Sequence, residues 1–370
     1  MRFGDFGAGG RCNLKAMGLL EQTIGAIAPP DAAAAAQAAH RLDSLTKPRG
    51  SLGDLEAIAR RYAAVRGDPT AAFGGGALTV FVADHGVAEE GVSAYPQAVT
   101  GEMLRNIARG GAAISVLARR LGYHLWIVDV GVAIDTTAEA LPGVLYRRIA
   151  AGTRNVAREP AMSPEQARAA LEAGIETAHA AAAAGATLIG IGEMGIANST
   201  AAAALLAAAT GLAPAHLAGR GTGLDNPGMR RKLEVIARAL ELHRTALADP
   251  LATLATLGGF EIAAMAGVCL GGAARRVPVV VDGFIATAAA AAAERLRPGL
   301  LAHLFFGHRS AEGGHALALE RLGVRPILDL GMRLGEGTGA ALAMSVIESA
   351  LALYREMATF ESAGVSEKIG

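Results

Sequence analysis

The sequence is poor in aromatic residues and has no excess of either charge. Aromatic side chains make up 4% of its 370 residues although 52% are apolar, so the core must consist of Ala, Leu, Val and Ile with closely packed helices. Lys plus Arg equal Asp plus Glu at 34 each. Nucleic acids and anionic membranes bind basic surfaces. We therefore expect neither a nucleic-acid nor a membrane partner.

Cysteine is also rare, and the histidines lack metal-binding spacing. The two cysteines, Cys12 and Cys269, lie far apart, which fits a reducing, cytoplasmic location and gives no disulfide framework. No His-x-x-x-His or His-x-x-Glu-His pattern occurs among the nine histidines, so we expect no metal site. The uncharged segment Ile196–Gly219 is long enough to span a membrane, but it is rich in alanine and contains polar residues. It predicts a buried helix followed by a loop.

Short apolar runs alternate with alanine-rich helical stretches. The runs are nearly continuous, which is typical of parallel strands buried on both faces. Strands that alternate with helices predict a three-layer α/β/α fold with a mainly parallel, Rossmann-like sheet. The predicted strands are Ala77–Ala83, Leu125–Val132, Ala186–Ile191, Val277–Val281, Leu301–Phe306 and Pro326–Leu330. The predicted helices are Met103–Leu121, Pro164–Ala184, Thr200–Ala209, Met229–Ala248 and Thr287–Arg297.

Both ends of the chain differ from this alternating pattern. The segment up to about residue 70 is helical in pattern and has no strand candidate, and residues 340–358 are helical too. We predict an unstructured extension at 1–16, with Met17 as a possible true start. Residues 17–70 and 341–370 are predicted to form a small helical domain, and residues 71–340 the sheet domain.

The loop after the last predicted strand carries a single carboxylate between glycines. Its sequence is Gly331-Met-Arg-Leu-Gly-Glu-Gly-Thr-Gly-Ala340, with Glu336 at the centre. Glycines let the backbone bend sharply and let a ligand approach closely. A carboxylate at such a strand end is placed as a general base would be. The alternative is a turn whose glutamate faces water.

Other loops at the strand ends add glycine, hydroxyl and acidic residues. The glycine-rich turns at Gly190–Thr200 and Gly219–Gly223 lead towards helices and suit a phosphate, and Lys232 either adds a positive charge or is an ordinary solvated lysine. Glu193 could act with Glu336 beside a sugar carbon, where negative charge stabilises an oxocarbenium-like state. Asp84 and His85 could be a metal pair or a catalytic dyad. We favour a third interpretation, in which they form hydrogen bonds that fix their loop.

Two other functional classes stay open at this point. Gly190-x-Gly192-x-x-Gly195 matches the dinucleotide fingerprint, which would indicate an NAD-dependent oxidoreductase. The next acidic residue, Asp225, lies about thirty positions on, whereas that fingerprint needs one about 20 positions on. A non-catalytic nucleotide-binding or scaffold protein is the third possibility. No Gly-x-Ser-x-Gly elbow or Walker A sequence occurs.

Several long motifs resemble one enzyme family. They are Leu45–Glu56, Ala83–Ser93, Gly190–Thr200, Val281–Ile285 and Gly331–Ala340. In their residues and order, the chain resembles the nicotinate-nucleotide–dimethylbenzimidazole phosphoribosyltransferases over about residues 17–365. The resemblance implies phosphoribosyl transfer from nicotinate mononucleotide to 5,6-dimethylbenzimidazole in cobalamin biosynthesis. It further implies a homodimer with a parallel-sheet domain and a small helical domain, and no metal or organic cofactor.

The resemblance also assigns roles to individual residues. Glu336 matches the family's catalytic base, and Glu193 matches a second acidic position beside the ribose. The remaining matched positions are expected to contact the substrates. The expected nucleotide and phosphate contacts are Gly195, Gly221, Lys232, Gly283 and Ser310. Asn198 is expected to bind a substrate as well. The base pocket is expected to include Leu334 and Met194. The family's expected residue at position 194 is leucine. Ser93, Tyr95 and Met103 are expected near this pocket.

Overall fold

Seven strands form one sheet in the computed structural model, which describes residues 17–221 and 223–366. The strands are β1 (Gly76–Ala83), β2 (His124–Gly131), β3 (Val144–Tyr146), β4 (Leu188–Met194), β5 (Val279–Val281), β6 (Leu304–His308) and β7 (Pro326–Leu328). Their order is β3-β2-β1-β4-β5-β6-β7, and all neighbours are parallel. The predicted parallel α/β fold is confirmed. The edge strand β3 escapes prediction because it is only three residues long and incompletely buried.

Helices occupy most of the remaining described residues. Short 3-10 helices also occur at Gly86–Glu90, Thr137–Glu139, Arg244–Ala248 and Leu300–His303. The first seven α-helices are α1 (Leu19–Ala26), α2 (Ala32–Ser44), α3 (Asp54–Arg66), α4 (Val99–Ala108), α5 (Ala113–Leu121), α6 (Pro164–Ala183) and α7 (Asn198–Thr210). The others are α8 (Pro214–Leu217), α9 (Asn226–Leu242), α10 (Pro250–Leu257), α11 (Phe260–Ala274), α12 (Phe284–Leu296), α13 (His315–Arg321), α14 (Thr338–Glu356) and α15 (Phe360–Ala363).

Two predicted helices are shorter than expected. The predicted Met103–Leu121 helix is wrong as one element, because Gly110 adopts a left-handed conformation and separates α4 from α5. The predicted Met229–Ala248 helix ends at Leu242 and continues as a 3-10 helix. Helix α11 is not predicted, because its side chains are buried all round and show no amphipathic period.

The sheet separates two layers of helices. Alternate residues of β1 point to opposite faces, so Phe81 and Ala83 pack into one apolar cluster while Val80 and Val82 pack into the other. The first cluster includes residues of α6, α7, α11 and α12, and the second includes residues of α2, α3, α5 and α14. This is the three-layer arrangement that the sequence predicts.

Helices from the two ends of the chain contact each other. The Thr46 backbone N–H donates to the Ala358 carbonyl over 3.0 Å, and Leu45 pairs with Thr359 in an isolated antiparallel bridge. The Arg41 guanidinium donates to the Tyr354 carbonyl over 2.9 Å. The division into a helical and a sheet domain stays a prediction. The predicted extension at 1–16 lies outside the described residues.

Close helix packing compensates for the scarcity of aromatic residues. Helices α6 and α11 meet at glycines, and a Cβ atom added at Gly174 would lie 1.8 Å from the Ala264 carbonyl oxygen. A Cβ atom at Gly267 would lie 2.0 Å from the Leu171 carbonyl oxygen. The two backbones therefore approach each other as closely as glycine allows.

We expect Gly174→Ala to destabilise the protein by at least about 2 kcal/mol, because the added methyl group forces these helices apart. Gly25→Ala in α1 is the matched control, since nothing lies within 4 Å of its added Cβ atom. It should be neutral or stabilising by up to about 1 kcal/mol, because alanine favours helix. Urea unfolding measures both; equal effects of the two variants would contradict the packing argument.

Candidate active site

The strand order changes direction between β1 and β4, and a cavity lies beside this point. The chain first extends the sheet from β1 to β3 and then returns to place β4 on the other side of β1. Ligands of open parallel sheets bind at the carboxyl ends of the strands at such a point. The cavity measures about 520 Å³ and is lined by residues at or beyond the carboxyl ends of β1, β4, β5, β6 and β7.

Most of the residues proposed from the sequence line this single cavity. Its lining also includes residues that were not proposed as site residues, among them Asp282, His308, Glu312 and Arg333. Asp282 and His308 stand at strand ends, so the rule for parallel sheets could have found them. The lining residues proposed from the sequence are Ser93, Tyr95, Glu193, Met194, Gly195, Asn198, Gly221, Gly283, Ser310 and Leu334.

Met103 and Lys232 lie outside the lining. Met103 is half-buried on α4, against the apolar cluster that includes Leu104. Lys232 is fully buried on α9, and its Nζ donates to Ser199 Oγ over 2.9 Å and to the Gly219 carbonyl over 3.0 Å. Lys232 therefore bonds to the glycine-rich loop without lining the cavity, whereas Ser199 and Gly221 do line it.

Glu193 is a lining carboxylate at the end of β4. Its side chain is 7% exposed and accepts a short hydrogen bond from Asn198 Nδ2. Burial raises the pKa of Glu193 to about 8, and the charges of Glu261, Asp282 and Glu336 raise it too, against the effect of the Asn198 bond. The site therefore favours the protonated form until a positive charge arrives.

Glu336 follows the lining residue Gly335 in the chain but is not itself one of the residues that line the cavity. It is 5% exposed, and its Oε2 accepts the Ile114 backbone N–H over 3.2 Å. That N–H belongs to the first turn of α5, whose N-cap residue Ala112 provides no side-chain cap. Burial raises the pKa of Glu336, while the backbone N–H groups of Ile114 and Ala113 oppose the rise. Glu336 thus does not face bulk water.

Asp282 connects the end of β5 to the Glu336 loop. Its two carboxylate oxygens accept the Gly337 N–H over 3.2 Å and the Ala340 N–H over 2.9 Å. Burial raises the pKa of Asp282 to about 7, and these backbone donors oppose the rise. Asp282, Glu193 and Glu336 therefore form a buried acidic cluster.

The opposite side of the cavity is built from the Gly219–Gly221 turn and the loop after β6. Glu312 Oε1 accepts the Gly221 N–H over 3.0 Å, and the Ser310 N–H donates to His315 Nδ1 over 2.8 Å. Burial lowers the pKa of Lys232 to about 8, and the nearby Glu312 carboxylate opposes this. Here the Glu312 carboxylate occupies the Gly221 N–H, and the Lys232 amine donates to Ser199 and to the Gly219 carbonyl, so an anion at this turn would replace the Glu312 carboxylate at the Gly221 N–H.

The glycines of the apparent dinucleotide fingerprint serve packing. Gly190 and Gly192 lie inside β4 rather than after it. A Cβ atom at Gly190 would lie 2.8 Å from Met344 Sδ, and one at Gly192 would lie 2.3 Å from the Gly337 nitrogen. They allow α14 and the Glu336 loop to lie against the strand, so the oxidoreductase alternative is not supported.

Asp84 and His85 fix their loop, as favoured from the sequence. Asp84 Oδ2 accepts the Ala133 N–H over 2.8 Å, and His85 Nε2 lies 2.6 Å from Glu261 Oε1. Among the described residues, no group of three or more His, Cys, Asp or Glu side chains could hold a metal ion.

Known proteins match the chain over nearly its whole length. A phosphoribosyltransferase family model matches residues 27–365. The nicotinate-nucleotide–dimethylbenzimidazole phosphoribosyltransferase of Chloroflexus aggregans is 51% identical over 95% of this chain and 99% of its own. The Pseudomonas putida protein of that name is 53% identical over 92% of this chain and 96% of its own.

The chain belongs to the nicotinate-nucleotide–dimethylbenzimidazole phosphoribosyltransferase family. The crystal structure of CobT from Thermus thermophilus agrees, with a TM-score of 0.84 and 48% identity over 91% of this chain and all of that one. The segment Ile196–Gly219 contains the predicted buried helix, α7, but the residues after it include the short helix α8 as well as loop. No helix in the described part of this phosphoribosyltransferase is long and apolar enough to cross a membrane.

We expect Glu193→Gln to stabilise this phosphoribosyltransferase at alkaline pH. The folded-state pKa of about 8 exceeds the ordinary 4.5, so the folded protein holds a proton that the unfolded chain releases between these values. Wild-type stability should therefore fall as pH rises through this window, whereas glutamine has no such ionisation.

Thermal unfolding at pH 5 and at pH 8.5 tests this expectation. The Tm advantage of Glu193→Gln should amount to several degrees at pH 8.5 and shrink at pH 5. Glu234→Gln on the exposed face of α9 is the control and should show no such dependence. An advantage of equal size at both pH values would contradict the assigned cause.

Proposed function

We propose that the chain transfers the phosphoribosyl group of nicotinate mononucleotide to 5,6-dimethylbenzimidazole, giving α-ribazole 5′-phosphate and nicotinate for cobalamin biosynthesis. The observation that carries the proposal is one cavity, at the switch point of the sheet, that brings Glu193 and the Glu336 loop next to an anion-binding turn. This combination supplies the three elements that the reaction requires: a base, a charge beside the sugar and a phosphate subsite.

Glu336 acts as the general base in this proposal. One benzimidazole nitrogen loses its proton to the Glu336 carboxylate while the other nitrogen forms a bond to the ribose C1′. The bond between C1′ and the nicotinate nitrogen breaks, its electron pair stays with nicotinate, and C1′ inverts. A carboxylate that already accepts the Ile114 N–H keeps lone pairs free for this proton, and its raised pKa brings it closer to working pH.

Glu193 acts beside the sugar. The positive charge of the nicotinate mononucleotide ring and of the oxocarbenium-like state favours the ionised form of Glu193, against the burial that otherwise keeps it protonated. The hydrogen bond from Asn198 orients the carboxylate. The substrate thus creates the charge that stabilises its own transition state.

The anion-binding side of the cavity holds the phosphate. Backbone donors of the Gly219–Gly221 turn, the Ser310 hydroxyl and the nearby Lys232 amine supply the donors, and Gly195 and Gly283 allow close approach. The exposed side chains of Tyr95 and Leu334, at 54% and 59%, lie at the cavity with Met194 and Ser93 and form the aromatic-base pocket. Met103 lies outside the cavity lining and packs, as Met194 does, against the apolar cluster that includes Leu104.

The remaining proposals concern the setting of the enzyme. Nicotinate leaves as a neutral ring from a cationic precursor, so base catalysis, positioning and exclusion of water suffice without a metal or organic cofactor. We further propose that the enzyme is a cytoplasmic homodimer, in line with its family resemblance and its cysteine usage.

We expect Glu336→Gln to lower kcat for α-ribazole phosphate formation by roughly 10²–10⁴-fold, because the amide cannot take the proton. Purified protein is incubated with nicotinate mononucleotide and 5,6-dimethylbenzimidazole, and the nucleotide product is identified and timed. Glu348→Gln is the matched control on α14, where the carboxylate accepts the Tyr123 hydroxyl over 3.0 Å, and it should keep wild-type turnover.

Two results would contradict the proposal at different levels. Near-wild-type kcat in Glu336→Gln removes that residue from the base role. A wild-type enzyme that forms no α-ribazole phosphate from these two substrates removes the reaction itself.

A further inference from the structure

The backbone around Glu336 is strained. Gly335, Glu336 and Gly337 have φ angles of +88°, +61° and +90°, so three successive residues lie in the left-handed region. Glycine adopts this region freely, but a glutamate does so only at a cost in free energy. Such a conformation persists only where the surrounding structure holds it.

Asp282 supplies much of what holds this loop. Its carboxylate accepts the Gly337 N–H through Oδ2 and the Ala340 N–H through Oδ1, so it holds the four residues that follow Glu336 at both ends. These N–H groups open α14, whose N-cap residue Gly337 has no side chain to cap them. Asp282, which follows β5, thus caps the N-terminus of α14 in place of an N-cap side chain.

The position of Asp282 ties the loop to the rigid sheet. Asp282 directly follows the buried interior strand β5 and lines the cavity itself. On the other side, the loop lies so close to Gly192 of β4 that an added Cβ atom would be 2.5 Å from the Glu336 carbonyl carbon. Two neighbouring strands therefore define where the Glu336 backbone lies.

We infer that Asp282 is a positioning residue for Glu336, holding the strained loop so that the base carboxylate reaches the benzimidazole proton. The inference rests on the proposed function, in which Glu336 is the base. Asp282 takes no proton from the substrate in this account.

The carboxylate is the chemical feature that matters. An ionised Asp282 accepts at both oxygens, so both backbone N–H groups are satisfied. In Asp282→Asn, the amide nitrogen would face a backbone N–H, two donors would oppose each other, and one N–H would lose its partner. The substitution leaves the side-chain volume almost unchanged, so its effect on kcat reports on hydrogen bonding rather than on packing.

The kinetic test compares Asp282→Asn with Asp129→Asn. Asp129 in β2 is the control, because it is buried outside the cavity lining and its Oδ1 accepts two backbone N–H groups, those of Gly131 and Val132. Its Oδ2 also pairs with Arg148, so this substitution removes an ion pair as well. We expect Asp282→Asn to lower kcat roughly 10–100-fold, as small misplacements of a catalytic group do, with less than about threefold change in KM for nicotinate mononucleotide. Asp129→Asn should lose stability but keep kcat.

A double-mutant cycle separates positioning from other roles. If Asp282 acts through Glu336, then adding Asp282→Asn to Glu336→Gln should change the residual kcat by less than about twofold. The same fold-loss in both backgrounds would overturn the inference, because Asp282 would then act on the substrate or on folding independently. Unchanged kcat in the single variant Asp282→Asn would overturn it as well.

Amide hydrogen exchange provides a readout that does not depend on activity. The Gly337 and Ala340 amides should exchange at least tenfold faster in Asp282→Asn and at the wild-type rate in Asp129→Asn. Unchanged exchange overturns the inference even if the proposed reaction is correct. If the wild-type protein does not catalyse the reaction but the two amides still exchange faster in Asp282→Asn, the proposed function alone is refuted.

Discussion

The acidic cluster of Glu193, Asp282 and Glu336 is buried at the carboxyl edge of the sheet, and burial raises the pKa of each carboxyl group. Backbone N–H groups at the starts of α5 and α14 partly compensate this cost. Because these pKa values are raised, the groups accept protons more readily than exposed carboxylates do, and in the proposed reaction they balance a positive charge. Nicotinate mononucleotide would bring such a charge, so the proposal couples substrate binding to the ionisation of the site.

Small core residues, alanine and glycine, allow the acidic cluster to form at this edge of the sheet. Gly192 lets the Glu336 loop lie against β4, and Gly190 lets α14 approach the same strand. A side chain at Gly192 would collide with the Glu336 loop, and one at Gly190 would collide with Met344 of α14. The composition that leaves the core almost without aromatic rings thus serves the chemistry as well as the packing.

Much of the fold could be predicted from the sequence. Continuous apolar runs identify the strands because parallel strands buried on both faces need no polar alternation. The fully buried α11 and the short edge strand β3 could not be found this way, since neither has a periodic pattern. The glycine break between α4 and α5 shows that alanine-rich periodicity overestimates helix length.

Part of the site could also be predicted from the sequence. Residues at strand ends converge on one edge, so the sequence alone is enough to group Glu193, Ser310 and the Glu336 loop. Sequence could not show that Lys232 lies behind the glycine turn, because that depends on how α9 packs. Nor could it show that Asp282 caps α14, since the two are far apart in the chain and meet only in the folded sheet.

A structure of the protein with 5,6-dimethylbenzimidazole and nicotinate bound tests the central claim most directly. The account predicts a Glu336 carboxylate oxygen about 2.6–3.2 Å from a benzimidazole nitrogen, with Glu193 on the side of the ring that faces the ribose subsite. A ring bound elsewhere in the cavity, with Glu336 out of its reach and still bonded only to the first turn of α5, would contradict it.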